Sequence, residues 1–209
     1  MKILDPWAPI ILQDNFTDID FNAIINRFKS IKKDIPINAP VEKEGGLSSV
    51  VYNRITKDYP HTWKELSVFG EWLDSGILDS ALEKWLISGI PYAPTDSWIN
   101  EHPKGAWTSE HNHRGASFSL AYYLHVPENS GTIMFRDPME YHWGSSHGAQ
   151  SRGIDEMWYP VGPVKTGDLV LFPGWLYHKT EENKSDESRF VLSMNFASIR
   201  SLPNETNQV

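Results

Sequence analysis

The chain has 209 residues, a formal net charge of −8 at pH 7 and no cysteine. That length fits one domain, and the missing thiols exclude disulfides, thiolate metal sites and a cysteine nucleophile. The acidic balance, with no basic stripe, argues against a nucleic-acid partner. No apolar stretch approaches the ~18–20 residues of a membrane span. The opening MKILDPWAPIILQDN, broken by two prolines, makes a poor signal peptide. A cytoplasmic protein without a membrane partner is the expectation.

In chain order, the first recognisable element is DIDFNAIINRFKSIKK. Phe21, Ile24, Ile25, Phe28 and Ile31 fall on one face at helical spacing, with Thr17 or Asp18 placed to cap the start. Lys29, Lys32 and Lys33 suit its C-terminal dipole. NAPVEKEGGLSSVVYN reads as loop with a short strand. TWKELSVFGEWLDSG and SALEKWLISGI read as two more short helices, the second with a Leu78, Leu82, Trp85 and Leu86 stripe ended by Gly89. All three are expected to be packing scaffold.

After Pro91 the texture changes. DSWINEH, WTSEHNH, SFSLAYYLHV, GTIMFRD, WYPVGPV, DLVLFP and FVLSMNFAS are short runs rich in β-branched and aromatic residues, separated by turn signals. Seven or eight such strands predict a β-sandwich or barrel of the jelly-roll kind. The chain is thus read as a single domain, 1–209: an N-terminal helical scaffold at 1–90, a β core at 91–200 and a polar tail at 201–209. The segment 139–157 is long and polar, and such loops are often lids or binding loops. Tyr141, Trp143, Arg152 and Trp158 are its notable residues.

Two histidines stand one residue apart in His111-Asn112-His113. In an extended chain, residues i and i+2 share a face about 6.5–7 Å apart, so both imidazoles can lean onto one ion at roughly 2.1 Å each. A third ligand must come from elsewhere. His178, just past the buried-looking strand GDLVLFP, is the candidate. His61, His102, His125, His142 and His147 read as solvated or hydrogen-bonded surface residues. Arg189 opens the last strand eleven positions after His178, and a guanidinium can grip a carboxylate with two parallel hydrogen bonds.

These pieces together resemble the Fe(II)- and 2-oxoglutarate-dependent oxygenases, most closely the small branch common in marine bacteria and their phages. The matching segments are WIN at 98–100, HNH at 111–113, SLAYYL at 119–124, GTIMFRDP at 131–138, GDLVLFPGWLYH at 167–178 and RFVLSMNF at 189–196. The resemblance implies an α+β, mostly β fold: a double-stranded β-helix with N-terminal helices packed on it and iron at its open mouth. It implies Fe(II) and 2-oxoglutarate as cofactors, with His111 and His178 as metal ligands. It also implies that Arg189 binds the far carboxylate of 2-oxoglutarate. Tyr123 sits where related prolyl hydroxylases carry a cosubstrate-contacting tyrosine, and Ser193 and Asn195 are further candidates.

One position departs from the superfamily pattern, which is His-x-Asp/Glu followed by a distal His. Here His113 stands at the carboxylate position. Three readings stay open: His113 is the third ligand, Asp137 supplies a carboxylate instead, or His113 lies behind the ligands with water in the open position. The implied activity is hydroxylation of an unactivated carbon of a small molecule or peptide, consuming dioxygen and releasing succinate and CO2. Two rivals are a cupin-like three-histidine iron dioxygenase that needs no 2-oxoglutarate, and a non-catalytic jelly-roll binding module. Loop 139–157 is the candidate lid.

Overall fold

The computed structural model describes residues 11–36, 45–85, 89–138 and 157–199. Among these residues, nine strands form two antiparallel sheets. They are β1 (Leu12–Asn15), β2 (Leu47–Ser48), β3 (Tyr92–His102), β4 (Phe118–His125), β5 (Ile133–Arg136), β6 (Trp158–Val161), β7 (Asp168–Pro173), β8 (His178–Thr180) and β9 (Arg189–Ser198). The larger sheet has the order β1-β7-β4-β9-β3-β2 and the smaller β6-β5-β8. This is the jelly-roll arrangement expected, with four helices added: α1 (Phe21–Ile31), α2 (Val50–Thr56), α3 (Ser67–Trp72) and α4 (Leu78–Lys84).

The central strands are buried on both faces, so alternation sorts their side chains into two cores. Phe118, Leu120, Tyr122 and Leu124 of β4 point outward to the helices, as do Leu169 and Leu171 of β7 and Phe190, Leu192, Met194 and Phe196 of β9. Ala121, Tyr123, Val170, Phe172 and Val191 point inward, toward Ile133 and Phe135 of the smaller sheet. The polar residues Ser119, Ser193, Asn195 and Arg189 have the inward parity. A strand whose outer face is uniformly apolar and whose inner face admits polar groups is shaped around an internal site.

Ile24, Ile25 and Phe28 of α1 lie in the outer core, as the helical spacing predicts. The cap is Asp20, which accepts a hydrogen bond from the Ala23 amide at 3.0 Å, rather than Thr17 or Asp18. Tyr122 stacks on Phe69 at 4.1 Å between ring centroids and donates its hydroxyl to the Phe16 carbonyl at 2.7 Å. Helix α2 occupies part of the segment read as loop and strand. Between α3 and α4 the chain stays helical through Leu73–Ile77, although Gly76 there has φ of 120°, a backbone angle that favours glycine. Leu86 and the segment 139–156 fall outside the described residues, including the lid candidates Tyr141, Trp143 and Arg152. Among the described residues, no helix is long and apolar enough to cross a membrane.

Candidate metal centre and cosubstrate cavity

The HNH segment is not a regular strand. It runs beside β8, in the fourth place of the smaller sheet, held by a single bridge between His111 and His178. The two residues exchange backbone hydrogen bonds of 3.0 and 2.9 Å, and the Thr180 amide donates to the Thr108 carbonyl at 3.0 Å. Further on, the His113 amide donates to the Gly174 carbonyl at 2.8 Å. Gly174 is needed there because a Cβ would lie 2.4 Å from the Ala116 carbonyl oxygen. The segment expected as a strand is therefore pinned as an extended loop, and both histidines still reach one place.

His111, His113 and His178 form a cluster whose ligand atoms all lie within 4.8 Å of one another. Each ring has its Nδ1 engaged by oxygen. His111 Nδ1 is 2.9 Å from the Ser109 carbonyl, and His178 Nδ1 is 3.0 Å from the Leu176 carbonyl. His113 Nδ1 is 2.6 Å from Asn195 Oδ1 and 2.7 Å from Ser119 Oγ, and Ser119 Oγ itself donates to Asn195 Oδ1 at 2.8 Å. A carbonyl oxygen accepts, so the proton of each neutral ring sits on Nδ1 and Nε2 presents a lone pair. The Nε2 atoms of His111 and His113 are 3.2 Å apart. Two nitrogens each ~2.1 Å from one ion, at right-angled to tetrahedral directions, stand about 3.0–3.4 Å apart.

Burial keeps His113 and His178 in the ligating form. Burial, reinforced by the neighbouring His111, pushes His113 down to about 4. Burial followed by the charges of His111 and His113 holds His178 well below its ordinary range. Phe172 packs edge-on to His178 at 4.7 Å, and Trp98 lies 5.6 Å from His113. The donor set is all nitrogen and neutral, which suits a divalent transition metal such as ferrous iron. Asp137, at the end of β5, is not part of the cluster.

The three histidines open into a cavity of about 390 Å³. Its wall carries Arg114, Arg54 in an ion pair with Asp96 at 2.6 Å, and the neutral His102 besides the trio, and no Asp or Glu lines it among the described residues. In a protein of net charge −8, a wall with Arg114 and without a lining carboxylate favours an anion. A roomier groove of about 600 Å³ near Gly131 carries Glu128 and Glu181 and no histidine. It offers no imidazole and no positive charge.

Arg189 has no accessible surface. It donates to the Ser130 carbonyl and, at 3.4 Å, to the Glu181 carbonyl. Among the described residues it makes no ion pair within 4 Å. Tyr123 is buried beside it, with its phenol pushed up to about 12 by that burial. Ser193 Oγ accepts from Asn100 Nδ2 at 3.3 Å, and Asn195 turns its amide oxygen to His113. Tyr123, Ser193 and Asn195 all line the cavity, and Arg189 shares their strand face behind its wall. The residues that sequence reasoning missed are on β3. Trp98, Asn100 and His102 alternate into the cavity, and the period-two spacing of WIN and His102 was the available signal.

Residues 96–195 match the family model described as "Putative 2OG-Fe(II) oxygenase". Over this stretch, just under half of its length, the chain is similar to the 2OG-Fe(II) oxygenase family. That family implies Fe(II) and 2-oxoglutarate as cofactors, and the histidine cluster fits the iron. No curated protein matches the sequence. Among solved structures, the chain is similar to a Pseudomonas putida prolyl-4-hydroxylase, at 17% identity over 91% of this chain and 93% of that one, with a TM-score of 0.54. It is also similar to the alpha-ketoglutarate-dependent epimerase SnoN from nogalamycin biosynthesis, at 12% identity over 91% and 78%, with a TM-score of 0.56. It spans about half of a Burkholderia pseudomallei oxidoreductase of the same family, 54% of that chain at 13% identity and a TM-score of 0.44. At such identities the likeness is one of fold.

Proposed function

We propose that this protein is a 2-oxoglutarate-dependent hydroxylase in which His111, His113 and His178 hold the iron and Arg189 binds the remote carboxylate of 2-oxoglutarate. The observation that carries the reading is the convergence of three imidazoles whose protons are all held on the outer nitrogen. When bound, ferrous iron and 2-oxoglutarate supply the oxidising chemistry: dioxygen is consumed, the keto acid leaves as succinate and CO2, and a C–H bond of a small molecule or peptide becomes C–OH.

The chain's own residues bind, orient and exclude. The Ser109 and Leu176 carbonyls fix the rings of His111 and His178, and Asn195 with Ser119 fixes that of His113. Such outer partners typically contribute 10- to 100-fold to metal affinity. Arg189 adds a permanent cation that makes no ion pair within 4 Å among the described residues, at a depth where water competes weakly. Tyr123 and Ser193 line the same cavity. Phe172, Val191 and Ile133 keep its walls dry.

A second reading is favoured by the ligand set itself: a three-histidine iron dioxygenase that does not use 2-oxoglutarate. Buried Arg189 opposes it. The test is a titration of 2-oxoglutarate into anaerobic Fe(II)-loaded protein. A visible charge-transfer band that disappears in Arg189→Ala supports the proposal. Metallated protein without a band, together with oxygen uptake independent of 2-oxoglutarate, establishes the second reading instead.

A further inference from the structure

His102 faces Arg189 across the sheet: the two residues are directly opposed in the pairing of β3 with β9. Opposed side chains on one face of an antiparallel pair have Cβ atoms about 4.5–5.5 Å apart. Both residues are buried, at 1% and 0% exposure. His102 lines the same cavity as the histidine trio. Its Nε2 is 2.7 Å from Thr108 Oγ1, while its Nδ1 has no hydrogen-bond partner among the described residues. The same is true of the neighbouring Arg189 Nε.

Two buried nitrogens without hydrogen-bond partners, on adjacent strands beside one cavity, are an uncommon arrangement, because a native interior leaves few buried polar atoms unmatched. Arg189 Nε can only donate. His102 is held in its neutral form by burial and by the guanidinium next to it. The Nε2–Thr108 contact runs in either direction according to the ring tautomer, and when the hydroxyl donates to Nε2 the ring proton lies on Nδ1. The corner then offers two N–H groups, one charged and one neutral, and both need an oxygen acceptor. A carboxylate has two oxygens and answers both. A second cation at position 102 would repel Arg189, whereas a neutral imidazole adds a donor without that repulsion.

We propose that His102 is a second cosubstrate-binding residue, whose Nδ1–H donates to the carboxylate of 2-oxoglutarate remote from the keto group, beside Arg189. This rests on the reading that Arg189 binds that carboxylate. The contact lies away from the metal, so it contributes to the affinity and choice of keto acid rather than to holding iron.

The experiment compares two keto acids by calorimetry on Zn(II)-loaded protein: 2-oxoglutarate, and 2-oxobutyrate, which keeps the keto-acid head and lacks the remote carboxylate. A hydrogen bond to a charged group corresponds to roughly a 10- to 100-fold change in affinity. The expected result is that His102→Leu weakens 2-oxoglutarate by that factor and leaves 2-oxobutyrate unchanged. His102→Asn, whose amide nitrogen can take the place of Nδ1, restores most of the loss. Unchanged 2-oxoglutarate affinity in His102→Leu, or equal losses for both keto acids, overturns the proposal while the assignment of Arg189 stands. If wild-type protein binds zinc but discriminates neither keto acid, the cosubstrate reading itself fails and the proposal with it. Should His102→Leu fold poorly, the wild type answers alone. The ring ¹⁵N resonances of His102 are expected to shift on adding 2-oxoglutarate and to stay fixed with 2-oxobutyrate; the same response to both overturns the contact.

Discussion

The Nε2 atoms of His111 and His113 stand 3.2 Å apart with their lone pairs toward each other, while the protons of both rings are held by oxygens on the far side. Facing lone pairs repel, and a cation between them converts that repulsion into coordination. Divalent metal is therefore expected to stabilise the protein. At a concentration 100 times the dissociation constant, the gain is about 2.7 kcal/mol, or roughly 5–10 °C in melting temperature for a chain of this size. His178→Ala and His113→Ala are expected to abolish that shift, and Asp137→Ala to keep it. A shift lost in Asp137→Ala and retained in His113→Ala would reverse the ligand assignment.

Asn195 is expected to act through His113. Its Oδ1 takes the Nδ1 proton of His113 and also the Ser119 hydroxyl. Asn195→Ala should lower iron affinity by about 10- to 100-fold without touching a ligand. Asn195→Asp, which keeps an acceptor at the same place, should retain most of it. Competition against a metal-binding dye measures both, and equal losses in the two variants would mean that the oxygen at 195 does not orient the ring.

Gly174 sets the position of the HNH segment by close approach. Gly174→Ala places a methyl 2.4 Å from the Ala116 backbone oxygen, so the 113–117 turn must move and carry His113 with it. Both stability and metal affinity should fall, with a loss of about 1–3 kcal/mol from the overpacking alone. Gly70→Ala is the control. It lies in α3 with nothing within 4 Å of the added methyl, and should be neutral or stabilising by up to about 1 kcal/mol. Thermal melts and metal titrations of the two variants check this.

The pH dependence of the metal-free protein follows from its buried imidazoles. His102, His113 and His178 are all held below the ordinary value of 6.5, burial being the largest cause in each. The unfolded chain therefore binds these protons first as pH falls. The stability they confer is complete above 6.5 and is lost as pH drops from 6.5 toward the folded values, about 4 for His113. Within that window each group removes up to about 1.4 kcal/mol per pH unit. The melting temperature of metal-free protein should fall steadily between pH 7 and pH 4.5, and less steeply for His102→Asn. A flat profile in that range would contradict the burial of these rings.

Much of this site was legible in the chain. The i, i+2 histidines, the distal His178 and the cation at Arg189 are chemistry-bearing residues in otherwise apolar strands, and alternation alone assigns Ser193 and Asn195 to the face of Arg189. What period-two reasoning could not give was the local form of the HNH segment. Its two side chains converge through backbone bonds to Gly174 and His178, residues more than sixty positions away, rather than through strand pleat. His102 was hidden for a similar reason. Next to Pro103, it reads as a turn residue until the pairing with Arg189 places it inside. The α1 cap moved to Asp20 because cap choice depends on where the chain turns, which no local propensity fixes.

The central claim is that three imidazoles from this chain, and no carboxylate, hold the iron. X-ray absorption on anaerobic Fe(II)-loaded protein, with and without 2-oxoglutarate, reads that ligand set directly. The account predicts three imidazole nitrogens near 2.1 Å in both samples, with oxygen ligands changing when 2-oxoglutarate is added. Two or fewer imidazoles in the first coordination sphere of wild-type protein would contradict it.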